Sequence, residues 1–142
     1  MGSGELLLID ESYNANPASM RAALAVLPAL PRSDYPRRIA VLGDMLELGP
    51  DAPAMHADLW DAIDSAGVDL VFAAGPHMAR LYERVSGARR GGWAKTSAEL
   101  EPLLMAALKP GDAVMVKGSN GSKMGLLVAA MLSKFNRTGS RE

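Results

Sequence analysis

The sequence contains no cysteine, which excludes disulfides and thiolate metal sites and agrees with a reducing compartment. It has no excess of either charge, because 15 Lys and Arg residues offset 16 Asp and Glu residues to a net charge of -1. This balance argues against nucleic acid or an anionic membrane as the main partner. No apolar stretch approaches the roughly 20 residues that span a bilayer, and no signal peptide opens the chain. We therefore expect a cytoplasmic protein without a membrane or nucleic-acid partner.

Several catalytic motifs are also missing. There is no HExxH helix, no G-x-S-x-G turn and no cysteine nucleophile, so we predict neither a protein-only zinc site nor a catalytic residue in this chain. The Gly- and Ser-rich stretch 117–123 resembles a phosphate loop but lacks the Walker A spacing. Of the two histidines, His56 is interpreted as a surface or partly packed residue rather than a base, and His77 as the start of a helix.

The 142 residues, 49% of them hydrophobic, suit one domain with a sizeable core. Continuous apolar runs predict strands at 6–9, 39–42, 70–74 and 113–116, with a weaker one at 93–95. Helical periodicity predicts helices at 17–27, 54–66, 76–85, 97–108 and 122–135. Segments 31–38 and 87–92 are expected to be flexible connectors. The alternation predicts a Rossmann-like, three-layer α/β domain, with a mainly parallel sheet and helices on both faces.

The loop after the first predicted strand is rich in polar residues. Asn16 is a good N-cap and Pro17 suits the first helical position, so a helix begins there. The free N–H groups at its start favour an anion, and Asn14 and Asn16 can each bind a polar organic group. Ser12 and Tyr13 lie in the same loop. The alternative is that these residues only form the turn.

Two further strand-exit loops carry polar side chains. In segment 43–49, Asp44 and Glu47 could hold a cation, an amine or a ribose hydroxyl; the alternative is a solvated loop with a capping acid. In segment 117–123, small residues allow a ligand close to the backbone, and Ser122 is expected to cap the last helix. Parallel topology would bring these loops to the edge where the first loop lies.

Three of these segments together resemble the C-terminal domain of the Mur ligases. They are LIDESYNANPASM at 8–20, VLGDMLELG at 41–49 with His56 behind it, and VKGS at 116–119 with Met124 beyond. The resemblance covers residues 5–135 in the right order. Glu11 stands where the family's motif usually has aspartate, and Asn120 where it often has arginine.

The resemblance implies an ATP-dependent amide ligase of peptidoglycan synthesis, made of three domains. Within the family, the YNAN sequence at 13–16 is most similar to that of the members that join D-alanyl-D-alanine to UDP-MurNAc-tripeptide. In this family the N-terminal domain holds the UDP-sugar, and the central domain carries the phosphate loop and the Mg²⁺ ligands. The C-terminal domain closes over the central one and positions nucleotide and dipeptide. ATP and Mg²⁺ would therefore be held mainly by the central domain, and this chain alone would be inactive.

The resemblance further implies which residues bind ligands. Nucleotide or dipeptide contacts are expected from the first loop, amine or interdomain contacts from the second, and dipeptide carboxylate contacts from the third. The full nucleotide- or substrate-binding set is Ser12, Tyr13, Asn14, Asn16, Asp44, Glu47, His56, Lys117, Ser119, Asn120 and Ser122. No metal ligand is expected among them.

Two alternatives remain open at the level of the sequence. One is the equivalent domain of another Mur ligase or of a folylpolyglutamate-type ligase. The other is a non-catalytic Rossmann-like binding module. We expect residues 1–4 to be an expression leader, residues 5–135 to form the domain, and residues 136–142 to be a disordered tail.

Overall fold

A computed structural model describes residues 6–12 and 15–135, except for the side chain of residue 120. Its centre is one sheet of five strands: β1 (Leu7–Glu11), β2 (Arg38–Gly43), β3 (Leu70–Ala74), β4 (Arg90–Ala94) and β5 (Ala113–Lys117). All neighbouring strands are parallel, in the order β1-β5-β2-β3-β4. The predicted parallel α/β fold is confirmed, because the continuous apolar runs are strands covered on both faces.

Six helices connect and cover the strands: α1 (Pro17–Leu24), α2 (Ala52–Ala57), α3 (Trp60–Ser65), α4 (Met78–Tyr82), α5 (Ser97–Ala107) and α6 (Gly125–Phe135). The single helix predicted at 54–66 is divided, because the backbone tightens where the Leu59 N–H bonds to the His56 carbonyl, three residues back. The last helix begins three residues later than predicted. A 3₁₀ turn at Asn120–Ser122 and a positive φ at Lys123 precede it.

The direction of each crossover decides which face a helix covers. The connections from β1 to β2, β2 to β3 and β3 to β4 all step the same way across the sheet, whereas the return from β4 to β5 runs the other way. One core accordingly packs Met20 of α1 and Ile63 of α3 against the sheet, and the other packs Leu100 of α5 and Leu127 of α6. The prediction of helices on both faces is confirmed.

Strand β4 corrects the expectation of a flexible connector at 87–92. Residues 90–92 are part of the sheet, where β4 pairs with β3. A Cβ at Gly91 would lie 2.5 Å from the Phe72 ring, so glycine lets this edge strand pass over a large core side chain. Within the described residues, no helix has the length and apolar character needed to cross a membrane.

Candidate functional site

The carboxyl ends of the five parallel strands lie at one edge, where the loops after them meet. Ser119, which is 8% exposed, joins three of these loops because β5 lies between β1 and β2. Its N–H donates to the Asp44 carbonyl at 3.1 Å, and its hydroxyl accepts from the Leu46 N–H at 2.9 Å. The hydroxyl also donates to the Ala15 carbonyl at 3.4 Å. The structure therefore places Ser119 among the site loops, as the residue that holds them together.

Asp44 links the β2 loop to the beginning of α4. Its carboxylate accepts hydrogen bonds from the N–H groups of His77 at 3.1 Å and Met78 at 2.8 Å. Asp44 is only 5% exposed, so the alternative of a capping acid describes it, whereas the solvated part of this loop lies beyond it. The capped helix is α4, which follows the neighbouring strand β3, and not the helix that follows Asp44's own strand β2. Glu47, in contrast, is exposed and has a φ of 63°.

His56 is completely buried beneath the β2 loop, which contradicts the prediction of a surface or partly packed residue. Its Nε2 accepts from the Met45 N–H at 2.9 Å, and its Nδ1 lies 2.6 Å from the Ala52 carbonyl, to which it donates. Burial lowers the pKa of His56 and so favours the neutral ring that this arrangement needs. Because both ring nitrogens bond within the protein, His56 supports the β2 loop from beneath.

The described residues on either side of positions 13 and 14 form a side-chain turn at Ser12 and a capped helix from Asn16. The Ser12 N–H and hydroxyl donate to Asp10 Oδ1 at 2.9 Å and 2.6 Å. The predicted N-cap is confirmed: Asn16 Oδ1 accepts from the Ser19 N–H at 2.8 Å. The Ser19 hydroxyl in turn accepts from the Asn16 N–H at 3.0 Å, which completes a capping box. This reciprocal pair fixes where α1 begins.

Three predicted site residues, in the loops after β1 and β5, lie wholly or partly outside the described residues. Tyr13 and Asn14 lie there entirely, and of Asn120 only the backbone is described. Lys117, at the end of β5, is buried, with its Nζ 3.8 Å from Glu11 Oε1 at the end of β1. Its charge therefore lies between the ends of neighbouring strands, at the same edge.

Ser122 does not cap the last helix, contrary to the prediction. Its hydroxyl donates to the Ser119 carbonyl at 2.6 Å, and its N–H bonds to the same oxygen at 2.8 Å. These bonds close a tight turn, and α6 begins only at Gly125. A Cβ at Gly118 would lie 2.7 Å from the Ser122 hydroxyl, so the glycine allows the turn to fold back on β5.

A cleft of about 560 Å³ opens between the loops that follow β2, β3, β4 and β5. Its walls are mostly hydrocarbon, and two lysines provide its positive charge. The lining residues are Asp44, Leu46, Ala74, Gly75, Pro76, His77, Lys95, Thr96, Ser97, Ala98, Gly121, Ser122, Lys123 and Leu126. Apolar walls with a few polar groups are typical of a site for a small organic ligand.

Two of these loops were missed as site elements in the sequence. Residues 75–77 follow β3 and residues 95–98 follow β4, and their polar groups were interpreted only as helix starts. Thr96 does cap α5, since its hydroxyl accepts from the Glu99 N–H at 3.1 Å. The signal that could have found them is topological: every strand exit of a parallel sheet reaches the same edge, whether or not the loop has a recognisable motif.

The residues that the structure describes include no group of three or more His, Asp or Glu side chains able to hold a metal ion. Asp44, the most deeply placed acid of the cleft, already accepts two backbone hydrogen bonds. The described residues therefore do not fit a Mg²⁺ site of their own.

Comparison with known proteins agrees with this architecture. Residues 2 to 120 match the family described as "Mur ligase, glutamate ligase domain". The chain is 36% identical to UDP-N-acetylmuramoyl-tripeptide--D-alanyl-D-alanine ligase of Escherichia coli (strain K12), over 88% of this chain and 26% of that protein. It is 34% identical to the protein of the same name from Haemophilus influenzae, over 92% of this chain and 28% of that protein. The chain thus spans about a quarter of the length of these curated relatives.

Solved structures show the same fold. Crystal structure II of MurF from Acinetobacter baumannii superposes with a TM-score of 0.77 at 28% identity, over 94% of this chain and 29% of that one. MurF ligase from Thermotoga maritima in complex with ADP gives a TM-score of 0.76 at 19% identity, over 96% of this chain and 30% of that one; at this identity the likeness concerns the fold alone. With a family match across most of its residues and a shared fold, this chain belongs to the Mur ligase family, in its glutamate ligase domain.

Proposed function

We propose that this chain is the C-terminal domain of an ATP-dependent ligase that joins D-alanyl-D-alanine to UDP-MurNAc-tripeptide in peptidoglycan synthesis. The support is the name shared by its relatives in Escherichia coli and Haemophilus influenzae, together with the cleft at the carboxyl edge of the sheet. The same name favours this reaction over that of a folylpolyglutamate-type ligase. The match to a ligase domain likewise argues against a free-standing binding module.

In this proposal the domain contributes position more than acid–base chemistry. Ser119 and Asp44 tie the loops after β1, β2, β3 and β5 into one surface, so a ligand in the cleft meets walls with a fixed spacing. Holding an amine in line with an activated carboxyl group removes much of the entropic cost of the reaction. When the domain closes over its central partner, the hydrocarbon walls exclude water that would otherwise hydrolyse the activated carboxyl group.

The cofactors of the proposed reaction are ATP and Mg²⁺. They would be held mainly by the central domain, since the described part of this chain carries no metal-binding cluster. ATP supplies the phosphoryl group that activates the carboxylate of the tripeptide. The predicted contacts of Ser12, Tyr13, Asn14 and Asn16 with the nucleotide or dipeptide stay part of the proposal, as does the role of Glu47 at the amine side or between domains. The enzyme would act in the cytoplasm, where ATP and the UDP-linked substrate occur together.

A product assay tests the proposal. The full-length ligase that carries this domain is incubated with ATP, Mg²⁺, UDP-MurNAc-tripeptide and one amine component at a time: D-alanyl-D-alanine, L-glutamate or D-alanine. We expect the pentapeptide product with D-alanyl-D-alanine and no product from the 142-residue chain alone. Ligation of L-glutamate in preference to the dipeptide would contradict the proposed substrate. Product formation by the isolated chain would contradict the division of labour between the domains.

A further inference from the structure

The beginning of α5 brings polar groups to the cleft that the capping of the helix does not use. Ser97 is only 4% exposed, yet it lines the cleft. Among the described residues, the Ser97 hydroxyl has no hydrogen-bond partner. It is nevertheless not completely enclosed, because the one fully enclosed side-chain atom without a partner among those residues is Arg38 Nε, on another part of the chain. The Ser97 hydroxyl is therefore accessible from the cleft, and its capacity to form hydrogen bonds is unused within the described residues.

The backbone around Ser97 has unused donors as well. The first N–H groups of a helix have no partner within it, and the Thr96 hydroxyl takes that of Glu99. The N–H groups of Ser97 and Ala98 remain, at the positive end of an eleven-residue helix. Both residues line the cleft. Residues that line the cleft thus carry one hydroxyl and two N–H groups without a partner among the described residues.

The nearby charges are positive. Lys95 directly precedes the α5 cap and Lys123 lies on the facing loop, and both line the cleft. Neither lysine has a salt bridge or side-chain hydrogen bond within the described residues, and Asp44, the acid of the cleft, is already bonded to two N–H groups. The unused donors and charges all suit an anion, and the hydrocarbon from Leu46 and Leu126 suits small apolar groups attached to it.

We infer that Ser97, Ala98 and Lys95 form the subsite for the carboxylate of the incoming amine component, with Lys123 opposite. This inference rests on the proposed function, and it moves the carboxylate away from Ser119 and Ser122. Their hydroxyls already donate to carbonyls of the protein, at 3.4 Å and 2.6 Å. A carboxylate bound at the beginning of α5 would leave the amine of the dipeptide directed toward the other loops at this edge of the sheet. The methyl groups of D-alanyl-D-alanine would lie against the apolar walls.

The test is a titration of the 142-residue chain, followed through its backbone amide resonances. The probes are D-alanyl-D-alanine, its C-terminal amide and inorganic phosphate. We expect D-alanyl-D-alanine to shift the Ser97 and Ala98 amides to saturation, and the C-terminal amide to leave them in place. Ser97→Ala should raise the dissociation constant about ten-fold, the lower end for one lost hydrogen bond to a charged group. The exposed Ser65 at the end of α3 supplies the matched control, and Ser65→Ala should change the constant less than two-fold.

Each other outcome overturns the inference. Equal binding of the dipeptide and its C-terminal amide, or dipeptide shifts confined to loops 44–49 and 117–123, would place the carboxylate elsewhere and leave the proposed function standing. Phosphate that shifts the same amides at lower concentration than the dipeptide would assign the subsite to a phosphate-bearing ligand. No dipeptide shift at millimolar concentration would remove the subsite altogether. The ligase reaction is judged separately by its products in the full-length enzyme, so the two failures are distinguishable.

Discussion

Replacing Asp44 with alanine should destabilise the domain, because this carboxylate joins two strand-exit loops from a buried position. Its two acceptor bonds, to the N–H groups of His77 and Met78, measure 3.1 Å and 2.8 Å. A hydrogen bond to a charged group contributes about 1.5 to 3 kcal/mol, and water from the cleft can replace part of that, so we expect a loss of about 2 to 4 kcal/mol. Asp44→Asn should lose about half as much, because its amide NH₂ would meet one of the two donors.

Urea unfolding of the 142-residue chain at pH 7 measures this loss as a change in the free energy of unfolding. The matched control is Asp51→Ala, at an exposed acid that makes no side-chain bond to the helix it precedes. The control should stay within about 0.5 kcal/mol of the parent. If Asp44→Ala unfolded at the same urea concentration as the control, water would be satisfying both N–H groups, and Asp44 would not be what holds the β2 and β3 loops together.

Three further changes test other parts of the edge. Asn16→Ala removes the α1 cap and should cost about 1 kcal/mol in urea unfolding, and it should lower turnover of the full-length enzyme; unchanged stability would mean that the cap is dispensable. Gly75→Ala should destabilise more than this, because φ is +116° and the new Cβ would lie 2.3 Å from Asp44 Oδ1; an unchanged melting temperature would contradict that crowding. Burial lowers the pKa of His56, so its contribution to stability is complete above pH 6.5 and is lost as the pH falls toward the folded-state pKa. His56→Gln, which keeps an acceptor for the Met45 N–H, should flatten stability against pH below 6.5; a parallel pH profile would refute the assignment.

The strands and the first helix could be predicted from the sequence because their causes are local. Apolar runs such as 70–74 are too continuous for a half-exposed strand, and Asn16 with Pro17 marks a helix start by chemistry confined to a few residues. One boundary that shifted, the beginning of β4, depends on neighbours distant in sequence. Arg90 and Gly92 pair with β3 on either side of a register shift, where the unpaired Gly91 passes over the Phe72 ring, a contact that no local pattern shows.

The ligand roles predicted for the candidate site stay predictions, but the structure shows bonds inside the protein that the sequence did not reveal. The insertion of β5 between β1 and β2 puts the Ser119 hydroxyl between two other loops, and strand order cannot be read from a run of apolar residues. The hydrogen bonds that Asp44 and His56 make to backbone groups of the protein likewise depend on contacts that the sequence does not show. Ser97, which the inference above places in a carboxylate subsite, did not stand out in the sequence because a serine at a helix start ordinarily needs no further explanation.

The central position of the last strand also governs how the chain reaches its final shape. On one side β5 pairs with β1, from which it is separated by nearly the whole described chain, and on the other side it pairs with β2. Until residues 113–117 leave the ribosome, β1 has no partner and β2 has one bare edge. Strands β2, β3 and β4 can therefore assemble while β1 is still unpaired. A chain that ends before β5 would therefore leave β1 unpaired and one edge of β2 bare at the same time. For such truncated chains, self-association is the expected fate.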